Sequence, residues 1–129
     1  MKPTGPMVYV DLDGTLAKHL DVPYKGTKEW EYEIGSPIAA TVNLIKELLA
    51  EDFDVWIFTA RAHPWQGEKH QRKAIQHIEE WCKEHIGVKL PVTATKNPLC
   101  VAYLDDRAIA IEHNTGKFLS PNLLTKHRE

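Results

Sequence analysis

Short apolar runs of strand length alternate along this chain with longer amphipathic stretches, and each run stops at residues able to do chemistry. Val8 to Val10 is followed by Asp11-Leu12-Asp13-Gly14-Thr15, and Asp54 to Phe58 by Thr59-Ala60-Arg61. Val92 to Thr95 precedes Lys96-Asn97-Pro98, and Val101 to Leu104 precedes Asp105-Asp106. Runs this short, rich in β-branched and aromatic residues and bounded by turn formers, predict strands. Ser36-Pro37 predicts a helix start, with serine as N-cap and proline at the first helical position. Ile38, Val42, Ile45, Leu48 and Leu49 then carry an apolar face to about Glu51. Gln66 to His85 predicts a second helix, with Ile75, Ile78, Trp81, Cys82 and Ile86 on one face, ended by Gly87 and Pro91. Ala17 to Gly35 has no clean period and reads as a long loop or small hairpin. Ile109 to Ile111 reads as a fifth, edge strand, Asn114-Thr115-Gly116 as a turn, and Pro121 to Lys126 as a short terminal helix.

Alternating strands and helices predict an α/β fold. The expectation is a single Rossmann-like domain over residues 1–129, with a mainly parallel central sheet, helices on both faces and no separate cap domain. The length of 129 residues suits one such unit. Ligands of these sheets gather at the carboxyl ends of the strands. Asp11, Asp13, Thr59, Lys96, Asp105 and Asp106 all fall at strand ends or just beyond them. A net charge of −2 excludes bulk attraction to nucleic acid or anionic membrane. No segment is long enough to span a bilayer, and Met1 to Pro6 lacks the apolar stretch of a signal peptide, so a cytoplasmic protein with no membrane partner is expected. Cys82 and Cys100 fit no metal or redox spacing and are expected as buried free thiols. No glycine-rich fingerprint follows the first strand, which argues against a dinucleotide-binding oxidoreductase.

Asp11 and Asp13, two residues apart, share a face of an extended chain. Carboxylates held close repel each other unless a cation or a shared proton intervenes. Four carboxylates, a hydroxyl and an ammonium form an oxygen-rich set suited to Mg²⁺, which commonly binds carboxylates together with substrate phosphate. Zinc is disfavoured, because no cysteine or histidine belongs to the set. In this reading Asp11 is an in-line nucleophile and Asp13 a general acid and base. Thr59 and Lys96 serve the transferring phosphoryl group, and Arg61 and Asn97 are further candidate substrate-binding residues. Arg61 is equally suited to an ion pair with a nearby acid. Trp65, after His63-Pro64, either stacks on a base or sugar or caps the core. His63, His70 and His77 recur at sevens, two helical turns apart, which suits a solvated face rather than a metal site. Lys69, His70, Arg72 and Lys73 form a basic patch diluted by Glu68, Glu79 and Glu80, as on an ordinary charged helix face. Tyr24, Lys25, Trp30 and Tyr32 form either a flap over the site or a satellite apolar cluster.

Asp11-Leu12-Asp13-Gly14-Thr15, Thr59, Lys96 and Asp105-Asp106, in that order, resemble the four motifs of the haloacid dehalogenase superfamily. The resemblance covers Met7 to about Ile111. It implies Asp11 as nucleophile and Mg²⁺ ligand, and Asp13 as general acid/base with its backbone carbonyl on the metal. It further implies Thr59 on phosphate, Lys96 steadying nucleophile and phosphoryl group, and Asp105 and Asp106 holding the metal directly or through water. An acid at Asp13 resembles the phosphatases of the superfamily rather than its dehalogenases or transport ATPases. The short segments at both cap insertion points resemble its capless members, whose open sites suit large phosphoesters or macromolecular ends or are closed by another subunit of a homo-oligomer. The expected activity is magnesium-dependent phosphomonoester hydrolysis through an aspartyl-phosphate, on a phosphorylated small molecule or a nucleic-acid end. The alternatives are a nucleic-acid 3′-end phosphatase or end-binding module, and a non-catalytic phosphoacceptor signalling domain.

Overall fold

The computed structural model describes residues 5–20 and 32–119. Its regular elements are β1 (Met7–Val10), α1 (Ala39–Ala50), β2 (Asp54–Phe58), α2 (Glu68–His85), β3 (Val92–Thr93) and β4 (Cys100–Leu104). Two 3₁₀ turns, Ala60–Ala62 and Pro64–Gln66, lead from β2 into α2. The strands form one sheet in the order β3-β2-β1-β4, every pair parallel. The expected α/β architecture of Rossmann-like type is therefore present.

Val8, Val10, Val55 and Ile57 alternate onto one face of the sheet and meet the apolar stripes of both helices. Val42 and Ile45 come from α1, and Ile78, Trp81 and Cys82 from α2. Ile45 and Ile57 are fully buried, each removal from water contributing about 1.5–3 kcal/mol. The chain steps from β1 to β2 to β3 in one direction. Right-handed crossovers taken in one direction put both helices on the same side. The opposite face is aromatic: Tyr9 stacks with Phe58 at 5.2 Å and meets Tyr103 edge-on at 5.5 Å between centroids. Helices on both faces are expected from the sequence; among the described residues α1 and α2 both pack into the one core cluster with Val8, Val10, Val55 and Ile57. The connection from β3 to β4, residues 94–99, is too short for a helix.

Other boundaries differ for local reasons. Helix α1 starts at Ala39 with Ile38 as N-cap and no side-chain cap. Ser36 is not the cap, because its carbonyl accepts the Lys18 N–H at 2.8 Å and Pro37 pairs with Ala17. That pairing holds the chain extended for two more residues. Helix α2 ends where the sequence places its stop, with Gly87 at φ +105 and its N–H on the Cys82 carbonyl. Ile109 to Ile111 is not a strand of the sheet: Ile111 makes only an isolated antiparallel bridge with Phe118, around the Asn114-Thr115-Gly116 turn. Both cysteines are free, Cys82 buried and Cys100 only partly so. Most of the 17–35 segment and the whole of Pro121 to Lys126 lie outside the described residues. Tyr32 packs on α2, with its ring stacked on His77 and its hydroxyl 2.8 Å from His70 Nδ1. The α2 histidines are thus covered in part, rather than forming a solvated face. No helix among the described residues is long and apolar enough to cross a membrane.

Candidate active site at the carboxyl edge of the sheet

The site follows from strand register. Val10 is level with Ile57 of β2 and with Leu104 of β4, and the Asp11 N–H donates to the Leu104 carbonyl at 2.9 Å. The residues just past these three strand ends, Asp11, Thr59 and Asp105, therefore emerge at one edge. The chain order reverses across the β1–β4 boundary, the switch point at which open α/β sheets bind ligands.

Asp11, Asp105 and Asp106 each bring a carboxylate oxygen to within 4.8 Å of the others. Thr15 ties two of the three together. Its Oγ1 lies 3.3 Å from Asp11 Oδ2 and 3.1 Å from Asp106 Oδ1, and it accepts the Asp106 backbone N–H at 3.0 Å. Gly14 lets the acidic loop approach. Its φ is +94, and a Cβ there would stand 2.6 Å from Asp106 Oδ2. Burial pushes the Asp11 carboxyl up from 3.8 to about 7, helped by the Asp105 charge and by the hydrogen bond and charge of Asp106, with Thr15 acting in the opposite sense. An acid held so far above its ordinary range by desolvation and like charge, in a cleft, marks a functional-site candidate.

Asp13 departs from the expected set. Its carboxylate is not part of the trio: Arg61 grips both oxygens, Nε to Oδ2 and Nη2 to Oδ1, each at 2.8 Å. The fork-to-fork geometry is the strong form of an arginine–carboxylate pair. Arg61 is placed for it by the turn after β2, where Thr59 Oγ1 accepts the Arg61 N–H at 3.2 Å. Thr59 itself is buried, and its N–H bonds to the Thr93 carbonyl.

A cavity of about 550 Å³ opens beside these groups. It is lined by Asp11, Asp13, Thr59, Arg61 and Asp105, and also by His19, His63, Trp65 and Arg107. Arg107 and His19 were not singled out by sequence pattern. Arg107 carried a signal nonetheless, since it directly follows the Asp105-Asp106 pair. Lys96 does not line the cavity. Beyond β3 the chain turns onto the aromatic face, where Lys96 Nζ sits 5.7 Å from the centre of the Tyr103 ring. Asn97, expected at the substrate, instead closes the turn into β4, its Oδ1 accepting the Leu99 N–H at 2.8 Å.

The trio suits a hard cation by its donor chemistry: three carboxylates, no nitrogen or sulfur, and one member raised by burial and by the charge of its neighbours. No protein-family model and no curated protein matches the chain. Its fold is similar to that of a solved structure described as a conserved protein coded by a locus from Bacteroides thetaiotaomicron. The two share 20% sequence identity at a TM-score of 0.52, over 98% of this chain and 93% of the other.

Proposed function

We propose that this chain is a magnesium-dependent phosphomonoester hydrolase of the haloacid dehalogenase type. The observation that carries the reading is the Asp11–Asp105–Asp106 trio at the sheet's switch point, of which Asp11 and Asp105 line a cavity together with Thr59 and Arg61. Asp11, Asp105 and Asp106 would hold the cation. When bound, Mg²⁺ supplies positive charge that offsets the carboxylates and the phosphoryl oxygens.

Asp11 acts on phosphorus through one carboxylate oxygen. The new O–P bond forms as the bond to the leaving oxygen breaks, giving an aspartyl-phosphate and an alcohol or phenol once the leaving oxygen has taken a proton. Water then attacks the same phosphorus, returning free Asp11 and inorganic phosphate. Thr59 donates its hydroxyl to a phosphoryl oxygen, and Arg61 supplies the guanidinium for which phosphate and Asp13 compete. Proton transfer through Asp13 requires the Arg61–Asp13 pair to open, and an arriving phosphate is the natural partner to draw Arg61 away. Asp13 then stands beside the leaving oxygen as the proton carrier. Lys96 takes no part in phosphate binding in this scheme, which rests on Thr59 and Arg61.

The test is hydrolysis of an aryl phosphate with added Mg²⁺. Turnover should vanish on chelation and in Asp11→Asn. Asp13→Asn should slow alkyl phosphates by ~100- to 10,000-fold and aryl phosphates less, because a good leaving group needs less protonation. Undiminished activity in excess chelator would overturn the reading.

A further inference from the structure

We propose that the cavity takes a phosphoester whose leaving group ends in a flat heteroaromatic ring, a nucleoside monophosphate, and that Trp65 is the platform on which the ring stacks. The proposal rests on the phosphatase reading of the Asp11 site and names its substrate class.

Trp65 lies in the cavity wall with 62% of its surface exposed. A tryptophan that caps a core hides most of its rings, as Trp81 does at 7%. Trp65 therefore leaves much of its surface accessible in the cavity lining, where a flat ligand can reach it. Its support is rigid. Thr59 caps the first 3₁₀ turn, Pro64 opens the second, and the Gly67 N–H closes it on the Pro64 carbonyl at 2.9 Å. Gln71 of α2 reaches back to the Ala62 carbonyl at 2.8 Å, and Ala62 is buried beneath. Two tied turns thus present a large ring at small cost in conformational freedom, the property that makes rigid aromatic residues good anchors for ligands.

The rest of the cavity fits the same ligand. At about 550 Å³ it has room for more than a phosphate and a small alcohol. Its cationic groups are Arg61 near the carboxylates and Arg107 in the wall, and guanidinium planes also pack on bases. A polyol has no π-face to offer Trp65. A polynucleotide is disfavoured by the net charge of −2 and by the acids interleaved with lysines on α2.

The experiment is calorimetric binding to the Asp11→Asn variant with Mg²⁺ present, so that affinity is read without turnover. The probes are AMP, ribose 5-phosphate, phosphotyrosine and a 5′-phosphorylated tetranucleotide. AMP should bind at least ~10-fold tighter than ribose 5-phosphate, within the range that base stacking supplies. That ratio should fall toward one when Trp65→Ala is added and survive in large part with Trp65→Phe. An AMP to ribose 5-phosphate ratio near one, or a ratio indifferent to Trp65→Ala, overturns the proposal. Phosphotyrosine binding as tightly as AMP would overturn the nucleotide assignment, and a tetranucleotide binding much tighter would overturn the mononucleotide. If AMP binds as expected but the native protein hydrolyses no phosphoester, the phosphatase reading fails and what stands is a nucleotide-binding site at Trp65. If small phosphoesters turn over without preference for the base, the reverse holds.

Discussion

Replacing Asp11 by asparagine should stabilise the metal-free protein at neutral and alkaline pH, although it removes the proposed nucleophile. In the folded chain the Asp11 carboxyl titrates at about 7 rather than at its ordinary 3.8. Between those two values the native state binds more protons than the unfolded state, so stability declines as pH rises through the window. Below about pH 3 both states hold the proton and the site imposes no penalty. Above about pH 7 the penalty reaches its plateau. A shift of this size is worth about 4 kcal/mol at full strength. Asp11 is only partly buried, and solvent screening reduces the figure to about 1–2 kcal/mol. Asparagine keeps nearly the same shape and can still accept from Thr15, but carries no charge to repel Asp105 and Asp106. Thermal unfolding in chelator should show Asp11→Asn melting about 4–8 °C above the native protein at pH 8. The gap should shrink steadily to a small remainder at pH 4. With saturating Mg²⁺ the order should invert, because the native trio gains binding free energy that the variant largely forfeits. An advantage of equal size at pH 4 and pH 8, or none at pH 8, would refute the repulsion argument.

Gly14→Ala should lower Mg²⁺ affinity by at least ~10-fold and cost about 1–3 kcal/mol, since it forces a Cβ against Asp106 at a left-handed backbone position; metal titration and urea unfolding read the two effects. Trp81→Ala should cost about 3–5 kcal/mol in urea unfolding, because Trp81 is buried between helix and sheet and donates to the Gly35 carbonyl. A thiol reagent at pH 8 should label Cys100 readily and Cys82 only on unfolding, as burial pushes the Cys82 thiol up to about 11. Added Mg²⁺ should slow amide exchange at Val101 to Leu104 more than in α1, because two of the three carboxylates follow this edge strand, whose Val101 side chain is 65% exposed.

What the sequence reveals and what it hides divide along the range of the interactions. β2 and the apolar faces of both helices are local patterns, and Asp54–Phe58 appears in the structure with the bounds its composition predicts. The edge on which Asp11, Thr59 and Asp105 meet was legible as well, because parallel strands share an orientation and so share a carboxyl end. The partners within the site were not legible. Whether Asp13 faces a cation or Arg61, 48 residues away, depends on how far the turn after β2 leans toward β1, and no periodicity encodes that. Ser36 misled for the same reason: its cap signal is local, while its pairing with Lys18 is not. Lys96 misled because β3 stops at Thr93, two residues earlier than its apolar run suggests, and the chain leaves the edge before the lysine is reached.

The Arg61–Asp13 pair changes the charge arithmetic of the site. Fully ionised, the trio carries three negative charges, and the Arg61–Asp13 pair carries none. One divalent cation leaves a deficit of one positive charge before any substrate arrives, and a phosphate dianion deepens it to three. Phosphate can settle there only if further cationic groups turn toward it or if the site holds a proton. Arg107 already lies in the cavity wall, and Arg61, which spends its Nε and Nη2 donors on Asp13, gives its full fork to phosphate by loosening that hold. In the proposed reaction, substrate capture and the release of Asp13 thus become one event, driven by the same guanidinium. A phosphoester that cannot draw Arg61 across would bind weakly and leave Asp13 engaged, so affinity and proton transfer should rise and fall together across a series of leaving groups. In Arg61→Lys the point charge cannot bridge both oxygens of Asp13 as the fork does, and that coupling should weaken.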